Sequence, residues 1–406
     1  MARLIAIVTG ANTGVGFGIC LRLLIQLSQQ APSDAQPQER VDPNFALSSR
    51  PLVQSPYNSA TLVLACRSKE RALDARERLL VAFDVELLRR KRNNRGEDDA
   101  YARHFRDTLQ IDFVQCDLAS VSSVFEFCDV VKQRYPYISH LICNAGISCF
   151  TAIDYYAATW QILRDPLAGA THPTYISQSS GLMSDDGLGL VWQCNVFSHY
   201  LVQRELKELL CAAPSVARVI WLSSMGAAAG HSDPEDWQLI RSLSAYQASK
   251  HQIEIIAHQL NEPPNPHVRH IVVGPGAVHS GMGSQLLGPL TSLIMIIYFY
   301  IVRWMGSPNH PGQARKGAIS ATHASLAPID HLPPSSSAPR LDAQTDRLGN
   351  EFVNVSRTDG HTEMSVVAGR LLERIDGLCE TFEARDGRRE GADNPESGLD
   401  GSVVIV

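Results

Sequence analysis

The sequence predicts an α/β protein built on a Rossmann-like, doubly wound parallel sheet, and three observations carry that prediction. Short apolar runs alternate with helix-like stretches through most of the chain. The first run ends in a glycine-rich turn that leads straight into a helical pattern. The runs are apolar throughout rather than alternating, which is the pattern of strands covered on both faces by crossover helices. In order, strands are expected at 4–9, 61–66, 109–116, 138–144, 218–223 and 268–273, with a weak last strand at 352–355. Helices are expected at 16–27, where Ile19, Leu23 and Leu27 share one face, and at 120–134, 191–210 and 245–261.

The 406 residues are 44% hydrophobic and 19% charged, enough apolar content for a sizeable core and against a disordered or fibrous chain. The net charge of -6 gives no basic excess, and the one basic cluster, 89–95, has no interleaved aromatics, so nucleic acid is not an expected partner. The nine cysteines form no CxxC pair and are odd in number, which suggests buried free thiols in a reducing compartment. The short apolar run after Met1 passes directly into the glycine turn, unlike a signal peptide.

Although the length suits two or three domains, the order of motifs along the chain points to a single domain, 1–356. On it hang inserts at about 29–59, 89–106 and 151–189, expected to be solvated, charged or polar connections. An apolar lid is expected at about 281–306, a C-terminal helix at 357–384 and a flexible tail at 385–406, with 225–242 and 328–343 read as further loops.

The first strand ends in Thr9-Gly10-Ala11-Asn12-Thr13-Gly14-Val15-Gly16. Glycines there allow a tight turn and let backbone N–H groups approach a pyrophosphate at a helix N-terminus. The second strand ends in Cys66-Arg67-Ser68-Lys69, without the carboxylate that would bind a ribose 2′-hydroxyl. Arg67, beside Ser68, offers two parallel donors to a 2′-phosphate, which favours NADP(H) over NAD(H). Asp117-Leu118 and Asn144-Ala145-Gly146 follow the third and fourth strands. Asp117 suits the adenine amino group or the cap of the next helix, and the small residues 144–146 suit a wall beside a cofactor. Ser223-Ser224 ends the fifth strand, and Tyr246 and Lys250 lie four apart on the next helix, hence on one face. A nearby ammonium favours tyrosinate, and a serine hydroxyl can hold a carbonyl oxygen within reach of the phenol.

With these motifs in this order, the chain resembles the short-chain dehydrogenase/reductase family from Arg3 to about Val355. The resemblance implies that Tyr246 is the acid/base, that Ser224 orients the carbonyl, and that Lys250 lowers the tyrosine pKa and holds the nicotinamide ribose. Ser223 is the alternative serine, because the gap from Ser224 to Tyr246 is longer than usual. It further implies that Asn195, in Gln193-Cys194-Asn195-Val196-Phe197, supports a water-linked proton relay. Pro275, Gly276, Val278 and Ser280, in Gly274-Pro275-Gly276-Ala277-Val278-His279-Ser280, would surround the nicotinamide amide. No metal is implied.

No Asp, Glu, Lys or Arg occurs from Ile271 to Val302. The stretch 286–305 could just span a bilayer, but a helix and a strand must still rejoin the sheet after it. It is therefore expected as a lid lying in a membrane surface, with Trp304, Tyr298 and Tyr300 as interfacial anchors and Arg303 at the headgroups. Buried core helices or a dimer interface would use the same residues. With the inserts, the lid is most similar to the fungal 3-ketosteroid reductase branch of the family. That likeness implies NADPH-dependent reduction of the 3-keto group of a 4-methyl sterone to the 3β-alcohol. It also implies residence at the endoplasmic reticulum or lipid droplets, beside other enzymes of sterol C-4 demethylation. Reduction of another lipid carbonyl, retinal or a 3-ketoacyl lipid, or an idle NADP(H)-binding scaffold, would share many of these features.

Overall fold

The computed structural model describes residues 2–41, 51–93, 99–231, 233–279, 287–358 and 364–388. Its strands are β1 (Ala2–Thr9), β2 (Tyr57–Cys66), β3 (Gln110–Gln115), β4 (His140–Cys143), β5 (Phe150–Ile153), β6 (Ile176–Gln178), β7 (Ala217–Leu222), β8 (Val268–Gly274), β9 (Pro339–Thr345) and β10 (Glu351–Arg357). Eight form one sheet in the order β10-β9-β8-β7-β4-β1-β2-β3. All neighbours pair parallel except β9 and β10. This is the doubly wound sheet expected, with chain order reversing between β1 and β4. At such a reversal the loops beyond the carboxyl ends of the strands diverge and leave a crevice.

The helices are α1 (Gly14–Leu27), α2 (Lys69–Asn93), α3 (Ala100–Thr108), α4 (Val121–Arg134), α5 (Tyr155–Arg164), α6 (Pro166–Thr171), α7 (Leu190–Trp192, continued through Gln193–Phe197 and Ser198–Glu205), α8 (Ala245–Gln259), α9 (Pro289–Trp304), α10 (Ile319–Leu326) and α11 (Met364–Arg385). Successive residues of a strand point to opposite faces, so β1 feeds two cores. Ile5 and Ile7 pack with α4, α7 and α8, whereas Leu4, Ala6 and Val8 pack with α1, α2 and α10. Both faces being covered explains why the strand runs are apolar throughout.

Several loop expectations give way to packed structure. In the first insert, Ser33–Ala35 forms a 3₁₀ turn. Asp34 lies buried there, accepting from Arg22 Nη2 at 2.9 Å. In the second, the expected exposed helix end is the end of α2 at Asn93, but the loop expected after it includes α3, which is capped by Asp99 and buries Phe105 edge-on against Phe83. The third is not an open connection: it holds the antiparallel β5–β6 ribbon and helices α5 and α6. The expected loop 328–343 contains the start of β9, the seventh parallel strand, and 352–355 falls in the antiparallel edge strand β10. At the C-terminus α11 ends at Arg385 and Arg388 is still tied down, donating to Asp129 at 2.8 Å. Residues 42–50, 94–98, 359–363 and 389–406 lie outside the described residues. The nine cysteines are free, all buried except half-buried Cys149 and Cys211.

Candidate active site

The crevice begins at the glycine turn. Gly10 has φ +65°, and a Cβ on Gly16 would collide with the Gly10 carbonyl and the Asn144 side chain. Thr13, the N-cap of α1, makes no side-chain cap bond, so it leaves the first N–H groups of the helix to another acceptor. Gly14 (φ +55°) and half-buried Val15 open that first turn. A cradle that excludes side chains and presents a helix N-terminus fits a dinucleotide pyrophosphate. Asn144 closes its far side, donating from Nδ2 to the Thr9 carbonyl at 2.8 Å. The buried Thr9 hydroxyl accepts the N–H groups of Asn144 and Ala145 at 2.9 and 3.0 Å, which joins the ends of β1 and β4.

Arg67 is exposed at the end of β2, next to Ser68, with Nε 4.0 Å from Asp117 Oδ2. An exposed pair at that distance contributes little to stability and leaves the guanidinium available to a phosphate. Ser120, not Asp117, caps α4; Asp117 instead accepts the Ala119 N–H at 3.1 Å. Leu118 is buried, its carbonyl held by Ser198 at 2.7 Å. A further cation arrives from α2, where Arg78 donates to the Asn12 carbonyl at 3.1 Å and lies over the Phe17 ring. Nothing local in the sequence marks Arg78, since a long helix carries arginines on every face. Arg67→Asp is expected to invert coenzyme preference, read as kcat/KM with NADPH and NADH; unchanged preference would exclude a 2′-phosphate contact.

The reacting groups stand beyond β7 and on α8. Ser224 stands beside the Tyr246 phenol, near enough for its hydroxyl to favour the ionised phenol, and it accepts the Gly226 N–H at 3.2 Å. Ser223 points the other way, its hydroxyl on the fully buried Glu254. The alternation of side chains at a strand end therefore separates the two candidates, and Ser224 is the one beside the tyrosine. Lys250 is buried, its Nζ donating to the Leu222 carbonyl at 2.8 Å and lying 5.8 Å from the Tyr246 ring centre. Burial pushes Lys250 down to about 8.

Tyr246 does not follow the expectation of a lysine-lowered pKa. Burial pushes the phenol up, and the Ser224 hydroxyl is what opposes it. The phenol therefore holds its proton at neutral pH, which is the state a proton donor needs.

Asn195 sits in a π turn, Gln193–Phe197, that interrupts the expected 191–210 helix. Such turns displace one residue from the helical register and recur at functional sites. Its amide exchanges both bonds with Ile147 (2.8 and 2.9 Å) and donates to Ser249 at 2.9 Å. Gly146 lies against both Asn195 and Lys250. The Asn195 carbonyl meets His199 Nδ1 at 3.2 Å, and His199 Nε2 lies 2.9 Å from Thr9 Oγ1. Burial pushes His199 down to about 4, so it is neutral.

The segment after β8 is fixed by the chain that follows the lid. Gly276 has φ +67°, Ala277 donates to the Asn309 carbonyl at 2.7 Å, and Val278 bridges Gly312, while half-buried Pro275 begins the turn. Ser280 lies outside the described residues. Among the described residues no group of side chains could hold a metal.

Two contacts on Tyr246 had no signal in the sequence. Phe150 packs edge-on against its ring with centroids 5.9 Å apart, and Gln178 accepts its N–H at 3.0 Å. Gln178 belongs to the third insert, and Phe150 immediately precedes it.

No family model matches the chain. Among curated proteins, the 3-keto-steroid reductase of Eremothecium gossypii is 36% identical over 246 residues, covering 60% of this chain and 70% of its own. That of Schizosaccharomyces pombe is 28% identical over 351 residues, 86% of this chain and 89% of its own. That of Debaryomyces hansenii is 26% identical and covers 92% and 94%. The solved structure of salutaridine reductase from Papaver somniferum covers 82% of this chain and 98% of its own, at 17% identity and a TM-score of 0.49. The glycine cradle, the Ser224–Tyr246–Lys250 cluster and the likeness to these curated reductases meet in one conclusion: the chain belongs to the 3-keto-steroid reductases.

Proposed function

We propose that the chain reduces the 3-keto group of a 4-methyl sterone to the 3β-alcohol with NADPH, in sterol C-4 demethylation. The observation that carries the reading is the grouping of Tyr246 with Ser224 and buried Lys250 at the carboxyl edge of the sheet. The names of the curated relatives supply the 3-keto steroid. NADPH would lie on Gly10–Gly16 with its 2′-phosphate at Arg67 and Ser68, and when bound supplies the hydride. Ser224 and Tyr246 together hold the ketone oxygen, and Tyr246 donates its proton to that oxygen as it becomes an alcohol. Lys250, donating to the Leu222 carbonyl beside the tyrosine ring, would hold the nicotinamide ribose, and Asn195 keeps the floor of the site in place for water to return the proton.

Purified protein offered a 4-methyl sterone, a retinal and a 3-ketoacyl lipid with NADPH decides the substrate. Oxidation of NADPH with the sterone alone, yielding the 3β-alcohol, is expected. Preference for either other ketone replaces the sterone reading, and binding of NADPH with no turnover of any would make the chain a scaffold.

The proposed setting is a membrane surface on the cytosolic side of the endoplasmic reticulum or of lipid droplets, beside other demethylation enzymes. Among the described residues no helix is long and apolar enough to cross a membrane. What supports surface docking is α9, which exposes Leu290, Leu293, Ile294, Ile297, Ile301 and Trp304, repeating at helical spacing. That exposure does not fit a buried core helix. Tyr300 is exposed with them, but Tyr298 turns inward and donates to the Pro166 carbonyl at 2.5 Å. Arg303 is half-buried over the Tyr300 ring. Neither is the outward anchor expected from the sequence. Replacing Ile294 and Ile297 by Asp is expected to shift the protein from the membrane fraction to the soluble fraction. Equal membrane retention would refute docking through α9.

A further inference from the structure

We propose that Gln178 is a positioning residue for Tyr246, through which the 151–189 insert fixes the first turn of the catalytic helix. This deepens the proposed function and rests on Tyr246 as the proton donor. Helix α8 begins at Ala245, and the first N–H groups of any helix lack partners within it. Ordinarily the N-cap side chain takes one of them. Here Ser244 is the N-cap and makes no side-chain cap bond. The acceptor comes instead from Gln178, 68 residues earlier, whose Oε1 takes the Tyr246 N–H at 3.0 Å.

The other end of the same amide is used as well. Gln178 Nε2 donates to Gln247 Oε1 at 2.6 Å, so the side chain spans the tyrosine and its neighbour. The Tyr246 N–H admits only the oxygen of the amide, which fixes its orientation. Gln178 and Phe150 are register partners across the β5–β6 ribbon. One rung therefore delivers two contacts to one residue, Phe150 to the ring and Gln178 to the backbone. The rung is anchored where it leaves the sheet, since Ser179 donates to the Cys149 carbonyl at 3.0 Å and Cys149 adopts φ +47°. A residue with a side chain rarely takes that conformation unless its surroundings impose it.

Beyond the rung the insert continues into α5 and α6. Helix α6 touches the lid through the Tyr298–Pro166 bond. A continuous set of contacts thus runs from α9, through α6 and the ribbon, to the backbone of the proton donor. The insert works as the clamp that sets the phenol's place, which a polar surface loop would not do.

The test uses Gln178→Met, which keeps length and loses both bonds, and Gln178→Glu, which keeps the acceptor. With the sterone, Gln178→Met is expected to lower kcat about tenfold, in line with one lost neutral hydrogen bond. NADPH affinity should stay within about twofold, and Gln178→Glu should recover most of kcat. Hydrogen exchange of the 244–250 peptide, measured with no substrate present, is expected to quicken in Gln178→Met and not in Gln178→Glu. Unchanged kcat and unchanged exchange in Gln178→Met would overturn the proposal. So would loss of kcat and NADPH affinity together with a general rise in exchange, since that is the signature of a merely structural residue. A wild type that turns over no ketone overturns the functional reading and the catalytic purpose of the clamp, while the exchange result separately decides whether Gln178 holds the helix.

Discussion

Tyr246→Phe is expected to abolish ketone reduction, with kcat reduced by about 10²- to 10⁴-fold, the range a positioned general acid contributes. The substitution removes one hydroxyl and nothing else. The ring keeps its edge-on contact with Phe150, and the backbone keeps its bond to Gln178. Lys250 keeps its bond to the Leu222 carbonyl. Gly10, Gly16 and the first turn of α1 lie on the other side of the crevice, so NADPH affinity should stay within about twofold by fluorescence titration. Near-normal turnover would mean that another group donates the proton. Loss of NADPH binding together with turnover would mean that the phenol holds the cofactor rather than the reaction.

The pH dependence has a definite sign. Burial raises the Tyr246 pKa and the Ser224 hydroxyl lowers it. Ser224→Ala removes the lowering influence, so the alkaline limb of the kcat profile that reports phenol ionisation should move to higher pH. An unmoved limb would separate Ser224 from the titrating group.

What the sequence discloses about this site depends on how local each signal is. The glycine cradle is legible because Gly10 to Gly16 are consecutive and sit between a strand and a helix. Tyr246 and Lys250 are legible because four residues is one helical turn. Ser223 and Ser224 cannot be told apart by reading, since their difference is which side of the strand end each faces. Only their tertiary partners settle that, Glu254 for Ser223 and Tyr246 for Ser224. Strand β9 is hidden by its own function: Pro339–Thr345 places Arg340 and Asp342 among buried partners, so it lacks the apolar run that betrays β1 or β8. Gln178 is hidden by distance, because neither its spacing from Tyr246 nor the polar composition of its insert suggests a partner. The lid is half legible. Its uncharged length is plain, but the inward turn of Tyr298 depends on α6, whose contact with it is tertiary.

Arg340→Met is expected to destabilise the fold by about 3–5 kcal/mol, the cost of leaving a buried charge without its partner. Glu254 is fully buried one helical turn beyond Lys250, and Arg340 Nη1 donates to its Oε1 at 2.9 Å. The same guanidinium donates from Nε to Asp342 at 2.9 Å, and its Nη1 also reaches the Ser224 carbonyl at 3.3 Å. The Ser223 hydroxyl completes the cluster on Glu254. These carboxylates hold the guanidinium charged and its pKa above the ordinary value, despite burial that acts the other way. Removing the cation strands a carboxylate in the core, directly behind the two serines. For a chain of this size, that loss corresponds to a fall in Tm of about 4–6 °C, read by calorimetry at neutral pH. Adding Glu254→Gln should recover part of the loss, because a neutral amide needs no counter-charge. A double variant no more stable than Arg340→Met would show that the cost lies in packing rather than in the unpaired charge. The Ser224 carbonyl belongs to the same cluster, so the single variant should also lower kcat at temperatures where it remains folded. If stability falls and kcat does not, the cluster supports the sheet without placing the serine.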